Sequence, residues 1–112
     1  ITVAEGDMLS LEEKFQGGTG INITPPPENI LSKEQCQNLR TLVAKAAQAL
    51  GIDNYARIDV FYNRKSDDLI IIEANTLPGL TPATVIYHQA LAETPSLFPM
   101  QFLSSLIQRK LQ

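Results

Sequence analysis

The sequence predicts an α+β fold, a small antiparallel sheet packed with helices, and three observations predict it. A strongly signalled helix occupies Lys33 to Leu50, two β-branched-rich runs follow it across a polar turn, and two further helical stretches come after them. With 112 residues, 44% of them hydrophobic, the chain is long enough for one compact core and short for an enzyme that must enclose two substrates. One domain spanning residues 1–112 is therefore expected.

Ile1-Thr2-Val3 reads as a strand already under way, reaching Ala4. It carries no initiator methionine, so the chain is expected to be a fragment of a longer protein. From Glu5 to Pro27, turn chemistry at Glu5-Gly6-Asp7, Gly17-Gly18-Thr19-Gly20 and Pro25-Pro26-Pro27 predicts a long excursion with one short strand near Gly20 to Thr24. The glycine cluster is followed by neither a lysine nor a helix, so it reads as a turn rather than a phosphate loop. Ser32 and Gln35 form a capping box, in which hydroxyl and side-chain amide reciprocally satisfy backbone donors at a helix start. The helix runs from Lys33 to Leu50, and Gly51 supplies the left-handed residue that ends it. Cys36 shares the apolar side of that helix with Leu39, Val43, Ala46 and Leu50 and reads as core. As the single cysteine it cannot form an internal disulfide.

Tyr55 to Tyr62 alternates, with Ala56, Ile58, Val60 and Tyr62 on one face and Tyr55, Arg57, Asp59 and Phe61 on the other. Asn63 to Asp68 is polar and Leu69 to Ala74 is a second strand-like run, so the two read as a hairpin with a loop of about five residues. Pro78-Gly79 ends the regular structure. A short helix is expected over Pro82 to Ala92 and a last one over Pro99 to Leu111, with Phe102, Leu103, Leu106 and Ile107 as its apolar stripe.

A net charge of −3 gives no basic field of the kind that draws a protein onto nucleic acid or an anionic membrane. No run approaches the roughly 18 to 20 apolar residues that span a bilayer, and no charged and apolar leader opens the chain. The expectation is a cytoplasmic chain with small-molecule partners, bound neither to nucleic acid nor to membrane.

A loop of about five residues sets Asn63 opposite Leu69, and counting back pairs Phe61 with Ile71, Asp59 with Glu73 and Arg57 with Asn75. The polar side chains then gather on one face. Directly opposed Cβ atoms lie about 4.5–5.5 Å apart, where like charges destabilise the pair, so Asp59 and Glu73 need compensation. Magnesium supplies it readily, because it prefers oxygen ligands and uses one or two carboxylates plus nucleotide phosphates, and Asn75 offers a neutral third oxygen. The alternative is an exposed face whose acids are screened by solvent and neutralised by Arg57. Spacing alone leaves both open, since a register slip of one residue would scatter the set.

Arg57-Ile58-Asp59, then Glu73-Ala74-Asn75-Thr76 and Pro78-Gly79-Leu80-Thr81, resembles the signature of the D-alanine–D-alanine ligase family, within the ATP-grasp superfamily. The resemblance covers nearly the whole chain and implies the C-terminal lobe of an ATP-grasp fold. It implies that Asp59, Glu73 and Asn75 hold magnesium (or manganese) on ATP, and that Arg57 and the backbone of Gly79 stabilise a tetrahedral oxyanion. Lys14 matches a lysine on a mobile loop that closes over the phosphates; composition alone makes it a solvated lysine in a charged run. Met8 and Ile72 match positions lining an adenine pocket, and each is equally well explained as core. Thr84 and Val85 stand where the family binds its second substrate's carboxylate. There Thr84-Val85-Ile86-Tyr87 departs from the usual serine followed by leucine or methionine, with a proline two residues later. Phe15 stands where many members carry a tyrosine, a change the family associates with acceptance of hydroxy acids such as D-lactate. His88, the single histidine, has no ligand-spaced neighbours and is assigned no role.

The implied activity is an ATP-dependent joining of two amino acids in cell-wall precursor synthesis, with ATP and small amino acids as partners, and a homodimeric parent is compatible with it. The alternatives are another ATP-grasp amino-acid or D-alanine–D-lactate ligase, which the Thr84-Val85 departure favours, and a non-catalytic nucleotide-binding or interaction module. The intact set of Arg57, Asp59, Glu73 and Asn75 argues against the module.

Overall fold

The computed structural model describes residues 2–3, 21–82 and 84–112. Its elements are β1 (Thr2–Val3), β2 (Ile21–Asn22), α1 (Lys33–Ala49), β3 (Arg57–Asn63), β4 (Asp68–Asn75), α2 (Val85–Leu91) and α3 (Pro99–Leu111). Two antiparallel pairs, β1 with β2 and β3 with β4, are the sheets among the described residues, and the expected α+β class holds. The chain divides into two compact units. One carries β1, β2, α2 and α3 as far as Gln108; the other carries α1, the β3–β4 hairpin and the last residues from Arg109.

In the second unit, α1 starts and stops where its caps dictate. Ser32 is extended (φ −64°, ψ 162°), its hydroxyl accepts from the Gln35 N–H, and the Gln35 side chain accepts from the Ser32 N–H. Gly51 takes φ +65° just past the helix, a conformation that a Cβ would strain. The residues of α1 that are half-buried include Gln35, Cys36, Leu39, Val43 and Ala46, one stripe at helical spacing. Cys36 is thus on the expected side, although half-buried rather than core, and Leu50 is 59% exposed. Leu31, just before the cap, and Pro78 are buried.

The hairpin keeps the predicted pairs at the end away from its turn, with Arg57 opposite Asn75 and Asp59 opposite Glu73. At the turn end it differs by one residue. Asn63 pairs with Asp68, Tyr62 with Leu69 and Phe61 with Ile70, so residues 64–67 form a loop of four residues. Asp67 sits at φ +56°, which lets the chain reverse one residue sooner, and a β-bulge after Asp59 leaves Ile72 as the surplus residue that restores the register. Ile58, Val60, Tyr62 and Leu69 are half-buried, whereas Phe61 and Ile70 on the other face are 68% and 65% exposed. The pleat therefore gives β3 a half-buried apolar face and an open one, while β4 is exposed along most of its length.

In the first unit the core is made by Tyr87, Ala90 and Leu106. Tyr87 meets Phe102 edge to face, with centroids 6.1 Å apart and planes at 86°, and its hydroxyl donates to the Leu80 carbonyl at 3.0 Å. Helix α2 is shorter than expected, beginning at Val85 rather than Pro82. Thr84 is extended (φ −73°, ψ 136°), and its N–H turns back to the Thr81 carbonyl. Along α3, Phe102 and Leu103 are half-buried and Leu106 is buried, but Ile107, expected in the same stripe, is 62% exposed. No described helix is long and apolar enough to cross a membrane.

Candidate functional site

The open face of the hairpin carries the polar set, because alternation along β3 and β4 directs Arg57, Asp59, Glu73 and Asn75 to the same side. Arg57 lies between the acids: Nε is 3.1 Å from Asp59 Oδ1 and Nη2 is 2.9 Å from Glu73 Oε1. Their side chains are 48%, 40% and 58% exposed, so these ion pairs are screened and worth at most about 1 kcal/mol together. Partial burial pulls the Arg57 pKa down, yet the Coulombic pull of Asp59 and the hydrogen bonds to Glu73 and Asp59 outweigh it and hold the guanidinium above its ordinary value. The compensation that the opposed acids demand is thus present in the chain itself.

Asn75, half-buried, accepts the Leu77 N–H on Oδ1 at 3.0 Å, which orients its amide and leaves that oxygen a second lone pair. Two carboxylates and an amide oxygen on one open face form a hard-oxygen donor set, the kind magnesium prefers. Among the described residues no group of three or more His, Cys, Asp or Glu is placed to hold a metal, so the set rests on two carboxylates and an amide. In residue type the set suits the cation.

Ile72, expected near an adenine, is the surplus residue of the bulge, beside Glu73 and 53% exposed. It is not core. Gly79 is exposed, and a Cβ built on it would meet nothing within 4 Å, so its backbone is open to approach. Thr84 is the N-cap of α2 without capping it; its hydroxyl lies 3.1 Å from the Thr81 hydroxyl, and Val85 opens the helix at 36% exposed. His88 is exposed on α2 and lines a shallow pocket with Thr24, Pro25, Leu91 and Ala92. Met8, Lys14, Phe15 and the Gly17–Gly20 turn lie outside the described residues.

Sequence reasoning missed two features that shape this face. The bulge had a signal, since Leu69-Ile70-Ile71-Ile72 puts four apolar residues in a row where strict alternation allows one in two. The second is a clasp at the loop: Gln35 Nε2 donates to the Arg64 carbonyl and to Asp67 Oδ1, each at 3.2 Å, while the Tyr62 hydroxyl donates to the same Asp67 oxygen. The capping box flagged Gln35, but no local pattern announces its contact 32 residues away.

Comparison with known proteins gives the family. The profile of the family described as D-ala D-ala ligase C-terminus matches residues 2–108. D-alanine–D-alanine ligase of Lacticaseibacillus casei is 38% identical over 82 residues, 73% of this chain and 22% of the relative. The ligase of Halalkalibacterium halodurans is 33% identical over 79% of this chain and 28% of its own length, and that of Nitratidesulfovibrio vulgaris is 30% identical over 82% and 29%. No solved structure matches. The chain spans between a fifth and a third of the length of these relatives, and by a match across nearly all its residues it belongs to the D-alanine–D-alanine ligase C-terminal family.

Proposed function

We propose that this chain is the metal- and phosphate-binding lobe of an ATP-dependent carboxylate–amine ligase, D-alanine–D-alanine ligase, acting in the cytoplasm on cell-wall precursors. The observation that carries the reading is the pairing of Asp59 with Glu73 and of Arg57 with Asn75 on one open face. Family membership over residues 2–108 supports the same assignment. Lobe and parent together would accept ATP and two molecules of a small amino acid.

In this reading Asp59, Glu73 and Asn75 would hold magnesium, which when bound neutralises the triphosphate and polarises the phosphoryl group in transfer. The first amino acid's carboxylate displaces ADP from the γ-phosphorus and becomes an acyl phosphate. The second amino acid's amine attacks the acyl carbon, phosphate leaves, and the peptide bond closes. Arg57 supplies a permanent positive charge to the oxyanion that develops at the acyl carbon, because a guanidinium stays protonated at any working pH. The family resemblance assigns the backbone N–H of Gly79 to oxyanion stabilisation as well. The family resemblance assigns Lys14 to the phosphates, Met8 and Ile72 to the base, and Thr84 with Val85 to the acceptor's carboxylate.

The test is ADP release by the full-length enzyme with D- and L-amino acids and D-lactate as acceptors, read by a coupled assay and by product chromatography. D-alanine-dependent ADP release with dipeptide formation is expected. Release that requires a different acceptor would favour the second reading, another ATP-grasp ligase, which the Thr84-Val85 departure supports. ATP binding without turnover by any acceptor would make the chain a nucleotide-binding module.

A further inference from the structure

We propose that Gln35 is a positioning residue: through the loop of residues 64–67 it holds the bulge at Ile72, and so decides which apolar residues of β4 share the open face with Asp59 and Glu73. The inference rests on the reading of that face as the nucleotide side.

The same hairpin residues admit two registers with identical functional ends. In the observed one the loop has four residues and Ile72 is surplus. In the other the loop has about five residues, no bulge is needed, Phe61 faces Ile71 and Asn63 faces Leu69. Asp59 stays opposite Glu73 in both. What changes is the apolar half, because a shift of one residue moves every side chain of the shifted segment to the other face. As observed, Phe61 and Ile70 pair on the open face, and Ile72 adjoins Glu73. The alternative would put Leu69 and Ile71 on the open face and draw Ile70 and Ile72 into the covered one.

The apolar content of the two registers is similar, so burial alone chooses weakly between them, and the loop contacts choose. Gln35 Nε2 reaches both ends of the loop, the Arg64 carbonyl and Asp67 Oδ1, while its Oε1 accepts the Ser32 N–H at 3.2 Å. Arg64 Nη1 donates to the Ile30 carbonyl at 3.1 Å, fastening the loop to the segment before α1 a second time. Asp67, at φ +56°, accepts the Tyr62 hydroxyl as well. A loop one residue longer would take Asp68 into the turn and move Asp67 off these partners. Bulges beside functional sites commonly re-aim a side chain, and the clasp gives this bulge a cause.

Gln35→Glu separates the clasp from the cap, because glutamate serves the capping box equally well but cannot donate to Arg64 or Asp67 and repels the latter. Asp67→Asn added to it restores the bond with donor and acceptor exchanged, and asparagine tolerates the left-handed backbone. The full-length enzyme, selectively labelled at Ile and Phe, reads the register by cross-strand NMR contacts, and steady-state kinetics reads the KM for ATP. Expected for Gln35→Glu are loss of the Phe61–Ile70 contact in favour of Phe61–Ile71 and a severalfold rise in KM for ATP, with kcat held. Gln35→Glu/Asp67→Asn should recover both. An unchanged register in Gln35→Glu overturns the clasp, and a changed register with unchanged KM overturns its service to the nucleotide. A wild-type enzyme that releases no ADP overturns the ligase reading and the nucleotide half with it, whereas the NMR contacts still decide the clasp.

Discussion

Arg57 carries two demands on one guanidinium. It spans Asp59 and Glu73, offsetting their repulsion, and the proposed reaction asks it to face an oxyanion at a substrate. Because the pairs are exposed, Arg57→Ala should leave metal-free stability within about 1 kcal/mol. It should lower kcat by roughly 10²–10³-fold, the usual cost of one lost oxyanion donor. Denaturant unfolding in EDTA beside steady-state kinetics measures both, and unimpaired turnover would remove Arg57 from catalysis. Asp59→Asn takes one charge from the proposed cation site while relieving the repulsion against Glu73. Turnover at saturating magnesium should collapse without loss of metal-free melting temperature; a mutant that keeps most of its activity would exclude Asp59 as a ligand. Tyr62 gives a pH signature. Its hydroxyl donates to Asp67, and that bond first, then burial and the neighbouring Asp67 and Cys36 charges, push its pKa up from 10.0 to about 12. A raised pKa means the folded state holds the proton more tightly, so this contribution is complete below pH 10 and is lost as pH rises toward 12. Absorbance titration of tyrosinate with parallel unfolding curves should show that loss, and Tyr62→Phe should abolish it.

At the scale of elements, α1 is held by its ends more than by its middle. It has no buried residue, and its first turn is satisfied by the Ser32–Gln35 box. Ser32→Ala should therefore cost about 1 kcal/mol, a typical value for a lost N-cap. Thermal unfolding would register it, and an unchanged midpoint would show that tertiary contacts, not the cap, set the helix start. The hairpin shows a different balance. Alternation correctly separated the faces of β3, since the period-two rule acts on every residue of an unbroken strand, whereas the pairing of Asp59 with Glu73 rested on a counted loop. The loop length and the bulge were not legible in this way, because each depends on Asp67 adopting φ +56° and on Gln35 reaching across from α1. Two deviations of one residue, a shorter loop and a surplus Ile72, cancel before the functional pairs.

For the whole molecule, a ligand clamped between lobes loses one set of contacts when only one lobe is present, and this chain matches less than a third of each relative described. The 112-residue chain alone is expected to bind Mg-ATP weakly and to release no ADP. Calorimetry with a coupled assay tests this, and micromolar affinity or measurable turnover would show that the lobe is self-sufficient. The same chain supplied with the remainder of the ligase should regain both.

By itself the sequence determined the α+β class, both ends of α1 and the two faces of β3, which follow from local periodicity and capping chemistry, and its short motif named Arg57, Asp59, Glu73 and Asn75 together. Tertiary structure decided what depends on distant partners. The clasp joining Gln35 to Asp67 accompanies the four-residue loop, and the surplus Ile72 restores the register beyond it. The extended backbone of Thr84 delays α2, and the surroundings of α3 cover Leu106 while leaving Ile107 open. The physical reason is range: a capping box or an alternating strand is satisfied within a few residues, whereas a register and an exposure are settled by atoms that sequence proximity does not bring together.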